Sequence, residues 1–372
     1  MDFAPTEEQS AAQGLAARIF GDLSTPERLA AAGTGTDAEL WKELCAAGLT
    51  AAVEETGLLG LVLLLEEQGR TTAQVPLAAS CVYGLLAVAR HGTDEQRERL
   101  LPALRDGTAV ATGAFPSRGG IWTDTEGADT DGVDGDGADT DGVDGSGVDG
   151  DGGGGRLSGS VPYVPWLRDA GLVLVPDRAA RLWIVRTGDP GVLTEPVETT
   201  APWSAARLVL DGAAGERLGG AGAYGAVLAA ARTAFAGLQA GVCAGSLARA
   251  VAHVNTREQF GRPLSTKQGV LLRAADAHMD TEAIRVTAYE AAWRYDTGLP
   301  YGPQALTAAW WASEAGKRVV HAGQHLHGGT GADLDHPVHR HFLWGRQLDA
   351  YLGCGGEVLQ ELGDSLVKEG TE

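Results

Sequence analysis

The run Arg257-Glu258-Gln259-Phe260-Gly261-Arg262-Pro263-Leu264-Ser265 places a cation at a break in a helical pattern. An arginine there presents a fixed, bidentate charge beside free backbone groups, which suits a diphosphate. The same residues also read as an ordinary helix-end arginine, favoured by the negative end of the dipole, and a turn phenylalanine. Histidine is the second chemical group. Six of the nine fall between His321 and His341. His321 and His325, four apart on a helix, share a face that could ligate a metal. The zincin pattern needs a glutamate after the first histidine, and Ala322 stands there, so no metal site is assigned. Acid is the third group. Residues 128–137 and 138–147 are a near-perfect tandem decapeptide, and 121–155 hold ten Asp, one Glu and no basic residue. An EF-hand loop needs alternating acids and a closing Glu; Val133 and Val143 break the alternation and no such Glu follows. Self-repulsion and glycine entropy instead predict a disordered acidic insert.

The elements that position these groups follow from periodicity. Tyr224 to Thr256 carries Leu228, Ala231, Phe235, Leu238 and Val242 at helical spacing, and a second helix runs from about Thr266 to Asp296. Gly261 and Pro263 break the pattern between them, as a turn between antiparallel helices does. Upstream, segments near 6–20, 37–48, 55–69, 73–90 and 94–105 read as helices, the last opened by Thr93-Asp94-Glu95-Gln96. From about Thr108 the texture becomes β: 157–161, 170–175, 181–185 and 207–210 are short runs between Gly, Pro and Asp, fitting a small antiparallel barrel or sandwich.

Composition narrows the function. At 372 residues and 44% apolar, the chain can build two or three cored domains. A net charge of −20 argues against nucleic-acid binding. Cys45, Cys81, Cys243 and Cys354 show no metal or redox spacing and read as buried or inert thiols of a reducing cytoplasm. No signal peptide opens the chain, and the greasy run Leu58 to Leu65 is too short to span a bilayer.

Arg257 to Ser265 resembles the R-x-Q-F-G-x-P-L-S signature of the acyl-CoA dehydrogenase family. His325-Leu326-His327-Gly328-Gly329-Thr330-Gly331 resembles its Q-x-x-G-G-x-G, and the opening Met1 to Gln9 its usual start. The resemblance implies an α+β fold in three domains: an N-terminal helical domain (1–108), a central antiparallel β-barrel domain (109–218) holding the insert at about 121–155, and a C-terminal four-helix bundle (219–372). It implies FAD as cofactor, with Arg257, Gln259, Phe260, Gly261, Gln268, His325, Gly328 and Gly329 facing its ADP half. His325 stands where the family usually has glutamine. An acyl-CoA substrate and electron-transfer flavoprotein come with the same resemblance.

The chemistry of that family needs a carboxylate near the α-carbon of an acyl thioester, in a dry site beside the flavin. By resemblance its two usual positions fall on Gly355 and Ala231, and neither is a base. Glu357, two residues late, is the weak substitute; it also reads as a solvent-facing acid in a helix first turn. The segment that would hydrogen-bond the flavin ring runs Gly159 to Trp166, with Pro165 in place of a threonine, and proline has neither N–H nor hydroxyl. The other flavin-facing segment, Thr112 to Gly120, also departs from the family's T-E-P-x-x-G-S-D and runs into the insert. This pattern of loss and retention resembles the non-catalytic chain of the actinobacterial heteromeric (α2β2) acyl-CoA dehydrogenases that shorten steroid side chains. A catalytic subunit is then the expected partner. Two alternatives stay open: a self-sufficient homo-oligomeric flavoenzyme using Glu357, and a flavin-free scaffold.

Overall fold

The computed structural model describes residues 3–115, 143–146, 154–334 and 336–369. The acidic repeat lies almost wholly outside them, and with it the calcium and disorder readings.

Helices come first: α1 (Glu7–Leu23), α2 (Pro26–Ala32), α3 (Ala38–Ala46), α4 (Leu49–Thr71), α5 (Leu77–Ala79), α6 (Ala87–His91) and α7 (Asp94–Arg105). The helix start expected at Thr93-Asp94-Glu95-Gln96 opens α7 with a capping box of Thr93 and Gln96, and Thr6 with Gln9 opens α1 in the same way. Two helical segments depart from the sequence pattern. α4 starts earlier than its apolar run and kinks at Gly57 (φ 73°), where Asp296 accepts from the freed N–H groups of Leu58 and Leu59 at 2.7 and 2.9 Å. Between α5 and α6 the chain winds as a π-helix over Ser80–Leu86. Gly84 there lies so close to Leu104 and Ala111 that a Cβ would clash with both.

Seven strands follow: β1 (Ala111–Gly113), β2 (Val143–Ser146), β3 (Gly154–Val164), β4 (Leu172–Pro176), β5 (Leu182–Arg186), β6 (Val192–Pro196) and β7 (Ala206–Leu218). They form one sheet in the order β1-β4-β5-β7-β3-β2, with β6 also on β7. The expected barrel was antiparallel throughout, but β1 pairs with β4 in parallel. β7 is the spine. One edge carries β3; the other carries β6 on Ala206–Leu210 and then β5 on Glu216–Leu218. A strand that changes partner midway curls the sheet about itself. β4 is buried on both faces. Val173 and Val175 join the core inside the curl, whereas Leu172 and Leu174 join the main core shared with the helices.

The second helical half comprises α8 (Ala223–Thr256), α9 (Gln268–Asp296), α10 (Gly302–His327), α11 (Pro337–Ala350) and α12 (Gly355–Glu369). α8 is long and apolar enough to cross a membrane, yet almost all of that window is buried inside the molecule. It packs on α4 with backbones in near contact. Gly237, Gly241 and Gly245 form a stripe at helical spacing, and a Cβ on each would strike Val62, the Glu66 carbonyl and the Arg70 carbonyl in turn. Glu66, buried at the same contact, is held by Arg285 of α9 at 3.2 Å; burial pushes its carboxyl up, against the guanidinium's pull. All four cysteines are free thiols. Burial pushes Cys81 and Cys243 up, whereas Cys45 is half-buried and Cys354 is exposed.

Gly241→Ala should therefore destabilise the fold by about 1–3 kcal/mol, because its Cβ would sit 2.1 Å from the Glu66 carbonyl oxygen and the helices must separate. The shift of the urea midpoint measures it; an unchanged midpoint would mean that α4 and α8 are not in backbone contact.

Candidate functional site

The two turns that carry the expected cofactor residues lie at one end of the helical bundle. A small core of their own holds them: Ala250, Val254 and Leu326 are buried, with Leu264 and Val270 against them. Arg257 leaves α8 in extended conformation, its N–H donating to the His253 carbonyl at 2.8 Å. β8 (Glu258–Gln259) and β9 (Arg262–Pro263) then pair as a hairpin. Its central residues, Phe260 and Gly261, have φ of 57° and 73°. Two positive φ values in succession suit a type I′ turn, which glycine enters freely and phenylalanine does not. The strain at Phe260 is on the order of 1–3 kcal/mol. Its ring is 92% exposed, with Lys267 Nζ 4.8 Å from the centroid. Arg257, Gln259 and Gln268 are exposed as well, and the Arg257 guanidinium has no ion pair among the described residues.

His325 is exposed in the last turn of α10, and Gly328 (φ 64°) caps that helix. At Gly331 a Cβ would strike the Gln324 carbonyl, so the turn itself requires glycine there. At Gly329 a Cβ would meet nothing within 4 Å. The chain does not need glycine at 329, and its bare backbone leaves room for a group from outside. An uncommitted guanidinium, bare backbone and a displayed aromatic face together suit a nucleotide diphosphate.

Behind both turns, three imidazoles touch. The rings of His253 and His327 stack at 4.7 Å and 28°, and His336 meets His327 edge-on at 4.9 Å. His327 Nδ1 lies 2.7 Å from the Gly323 carbonyl, and His336 Nδ1 accepts from the Val338 N–H at 3.2 Å, capping α11. Periodicity did not point to this cluster, because its members sit on three separate elements. His321, the other half of the pair weighed as a metal face, instead has Arg346 Nη1 at 3.4 Å. Burial and that cation lower its pKa.

The segment expected to meet a flavin ring leads into a buried aromatic cluster. Thr112 Oγ1 donates to the Pro165 carbonyl at 2.5 Å. Trp166, at φ 53°, stacks on Trp203 at 4.5 Å. Trp203 meets Trp344 and Tyr351 edge-on; Tyr351 in turn meets Phe235 at 4.6 Å and Tyr163 at 6.2 Å. The Tyr83 hydroxyl, on the π-helix, lies 2.8 Å from that of Tyr351, and Phe115 links Tyr83 to Tyr224. All of these rings except the partly buried Tyr163 are buried. Burial drives the phenols of Tyr83, Tyr163 and Tyr351 up, so they stay neutral. Each ring contact contributes roughly 0.5–1.5 kcal/mol beyond area burial. The legible signal for this cluster was the tryptophan count of nine, with Trp166 and Trp203 each preceded by proline.

Neither expected base position carries a carboxylate. Ala231 is fully buried. Its neighbour Arg232, also buried, is committed to Glu361 of α12 through two bonds of 2.8 and 2.7 Å. At Gly355 a Cβ would meet the side chain of Glu314, which would have to turn away to admit one. Glu357 Oε2 accepts from the Cys354 N–H at 3.3 Å, half of a capping box at the start of α12. The carboxylate weighed as a substitute base thus serves a helix end.

The outer face of α9 is the last feature of the site. Leu272, Met279 and Val286 recur every seventh residue and are exposed, beside a groove of about 900 Å³ lined by Arg273, Lys317 and Arg318 among others.

Comparison with known proteins agrees with this geometry. The family models for the acyl-CoA dehydrogenase N-terminal and C-terminal domains match residues 6–108 and 219–362. The chain is 34% identical to acyl-CoA dehydrogenase FadE27 of Mycobacterium tuberculosis over 99% of both chains, and 26% identical to FadE28 of that organism over 98% of both. Among solved structures, a Tcur3481-Tcur3483 steroid ACAD variant superposes with a TM-score of 0.87 at 39% identity, over 98% of this chain and 99% of that one. The ChsE4-ChsE5 complex from Mycobacterium tuberculosis gives 0.86 at 31%, over 99% of each. Fold, motif turns and comparisons converge: the chain belongs to the acyl-CoA dehydrogenase family.

Proposed function

We propose that this chain is a non-catalytic subunit of a flavin-dependent acyl-CoA dehydrogenase, lending the ADP half of an FAD site to a catalytic partner. One contrast carries the reading. Arg257, Phe260 and Gly329 stay open to the outside, while Pro165 stands where a threonine would bond the flavin ring and is followed by a buried cluster of the chain's own aromatic side chains. The residues fit one half of the cofactor and not the other. Arg257 would pair with the diphosphate, Gly328 and Gly329 would let it approach, and Phe260, Gln259, Gln268 and His325 would border the adenosine. When bound, the flavin supplies the oxidant for α,β-dehydrogenation of an acyl-CoA; its ring, and the base, would belong to the partner.

The partner is taken to be a second acyl-CoA dehydrogenase-like chain in an α2β2 assembly, met in part by the exposed apolar row on α9. The similar solved structures are named as pairs of chains, and one as a steroid ACAD, which supports a steroid side-chain CoA thioester as substrate. Electron-transfer flavoprotein is the proposed electron acceptor. The self-sufficient alternative finds no support in Glu357, which caps α12.

In the purified complex, Arg257→Ala should weaken FAD retention roughly 10- to 150-fold, the loss of about 1.5–3 kcal/mol for hydrogen bonds to a charged group. Flavin fluorescence after gel filtration reads this directly; retention at the wild-type level would remove Arg257 from the site. Glu357→Gln should leave turnover of the complex unchanged. A fall of a hundredfold or more would restore Glu357 as the base.

A further inference from the structure

The geometry points to His253, His327 and His336 as a clasp that positions the two cofactor-facing turns, closed when His253 and His336 are neutral and opened by acid. The inference rests on the half-site reading above and concerns how that site is held.

The three rings bolt together the ends that matter. His253 lies one turn before Arg257, and its carbonyl receives the Arg257 N–H. His327 immediately precedes Gly328. His336 is the N-cap of α11, with Pro337 behind it. The stack of 4.7 and 4.9 Å therefore couples the start of the Phe260 hairpin to the Gly328–Gly329 turn through a third helix. Small movements of either turn must drag a ring out of contact.

Protonation works against this arrangement in two ways. A charge on one ring repels a charge on the next at such separations, and the surrounding groups add to the repulsion. Arg257 faces His253; Arg249 faces His336, and among the described residues Asp333 opposes it. The cap is the second constraint. His336 accepts through Nδ1, so its neutral proton sits on Nε2, and a second proton must go to Nδ1. That proton takes the lone pair on which the Val338 N–H depends and leaves the first turn of α11 uncapped.

The pH window follows from direction. Burial, then the neighbouring imidazoles and arginines, hold His253 and His336 below the usual value of about 6.5. A histidine lowered in the folded state contributes stability that is complete above that value and is lost as pH falls through the lowered one. The clasp is thus closed at neutral pH and opens in mild acid. His341, one turn into α11, does not take part: it is fully buried with Nε2 2.9 Å from the Arg70 carbonyl, and its pKa is lowered to about 4 by burial.

The test uses the full complex of this chain with its catalytic partner. Amide protection at Val338 and over residues 257–262 is measured by hydrogen exchange at pH 7.5 and 5.5, with retained FAD read in the same samples. The wild type should lose protection at pH 5.5 and hold FAD on the order of tenfold more weakly, one linked proton giving about tenfold per pH unit. His336→Asn keeps a capping acceptor that does not titrate, and His327→Phe keeps a stacked ring; both should flatten the response. Wild-type protection unchanged between the two values, or an equal loss in His336→Asn, would overturn the clasp. A complex whose protection responds as expected but which holds no flavin at either pH supports the clasp and removes the half-site reading instead.

Discussion

The backbone contact between α4 and α8 is the constraint on which the rest depends. Three glycines at helical spacing let α8 lie directly on the α4 main chain, and no side chain can be added at any of them without parting the helices. α8 is thereby a fixed rod. Its first half presents Ala231 and Arg232 to the interior, and its end presents Arg257 to the outside. Whatever this chain does with a cofactor is decided by how those two stretches of one rigid helix differ.

They differ in what has been done with space. Around the first of these stretches of α8, Phe235, Tyr351, Tyr83 and the three tryptophans Trp166, Trp203 and Trp344 pack together between sheet and bundle, and the Arg232–Glu361 pair ties α12 to α8. Packing these rings together gains dispersion and aromatic contacts. At the end of α8 the opposite holds. A strained phenylalanine is displayed to solvent, a guanidinium stands without an ion pair among the described residues, and a glycine has open space where a side chain would fit. Strain and exposure of this kind persist where a partner molecule supplies what the chain itself leaves out.

Much of the fold was legible because its signals are local. The capping boxes at Thr6 and Thr93, the apolar period of α8 and the Gly261 break each act within a few residues, and each appears where its pattern stands. The short α2, β1 and β6 were not, since none carries enough apolar residues to show a period. The parallel β1–β4 pair and the partner change along β7 are tertiary facts with no local mark. Of the site, the two turns could be read and so could the missing carboxylates. The surroundings of these positions could not: Gly355 meets the Glu314 side chain of another helix, and Pro165 is followed by an aromatic cluster drawn from residues 166 to 351. The histidine cluster was visible only as a local excess, because His253 joins it from seventy residues away.

The most direct measurement is the visible spectrum of this chain purified alone, followed by its spectrum when co-expressed with the acyl-CoA dehydrogenase-like partner. The account predicts a colourless lone chain, and a yellow complex with one flavin for each copy of this chain. A lone chain that carries stoichiometric flavin would contradict it, because this chain would then hold the ring without a partner.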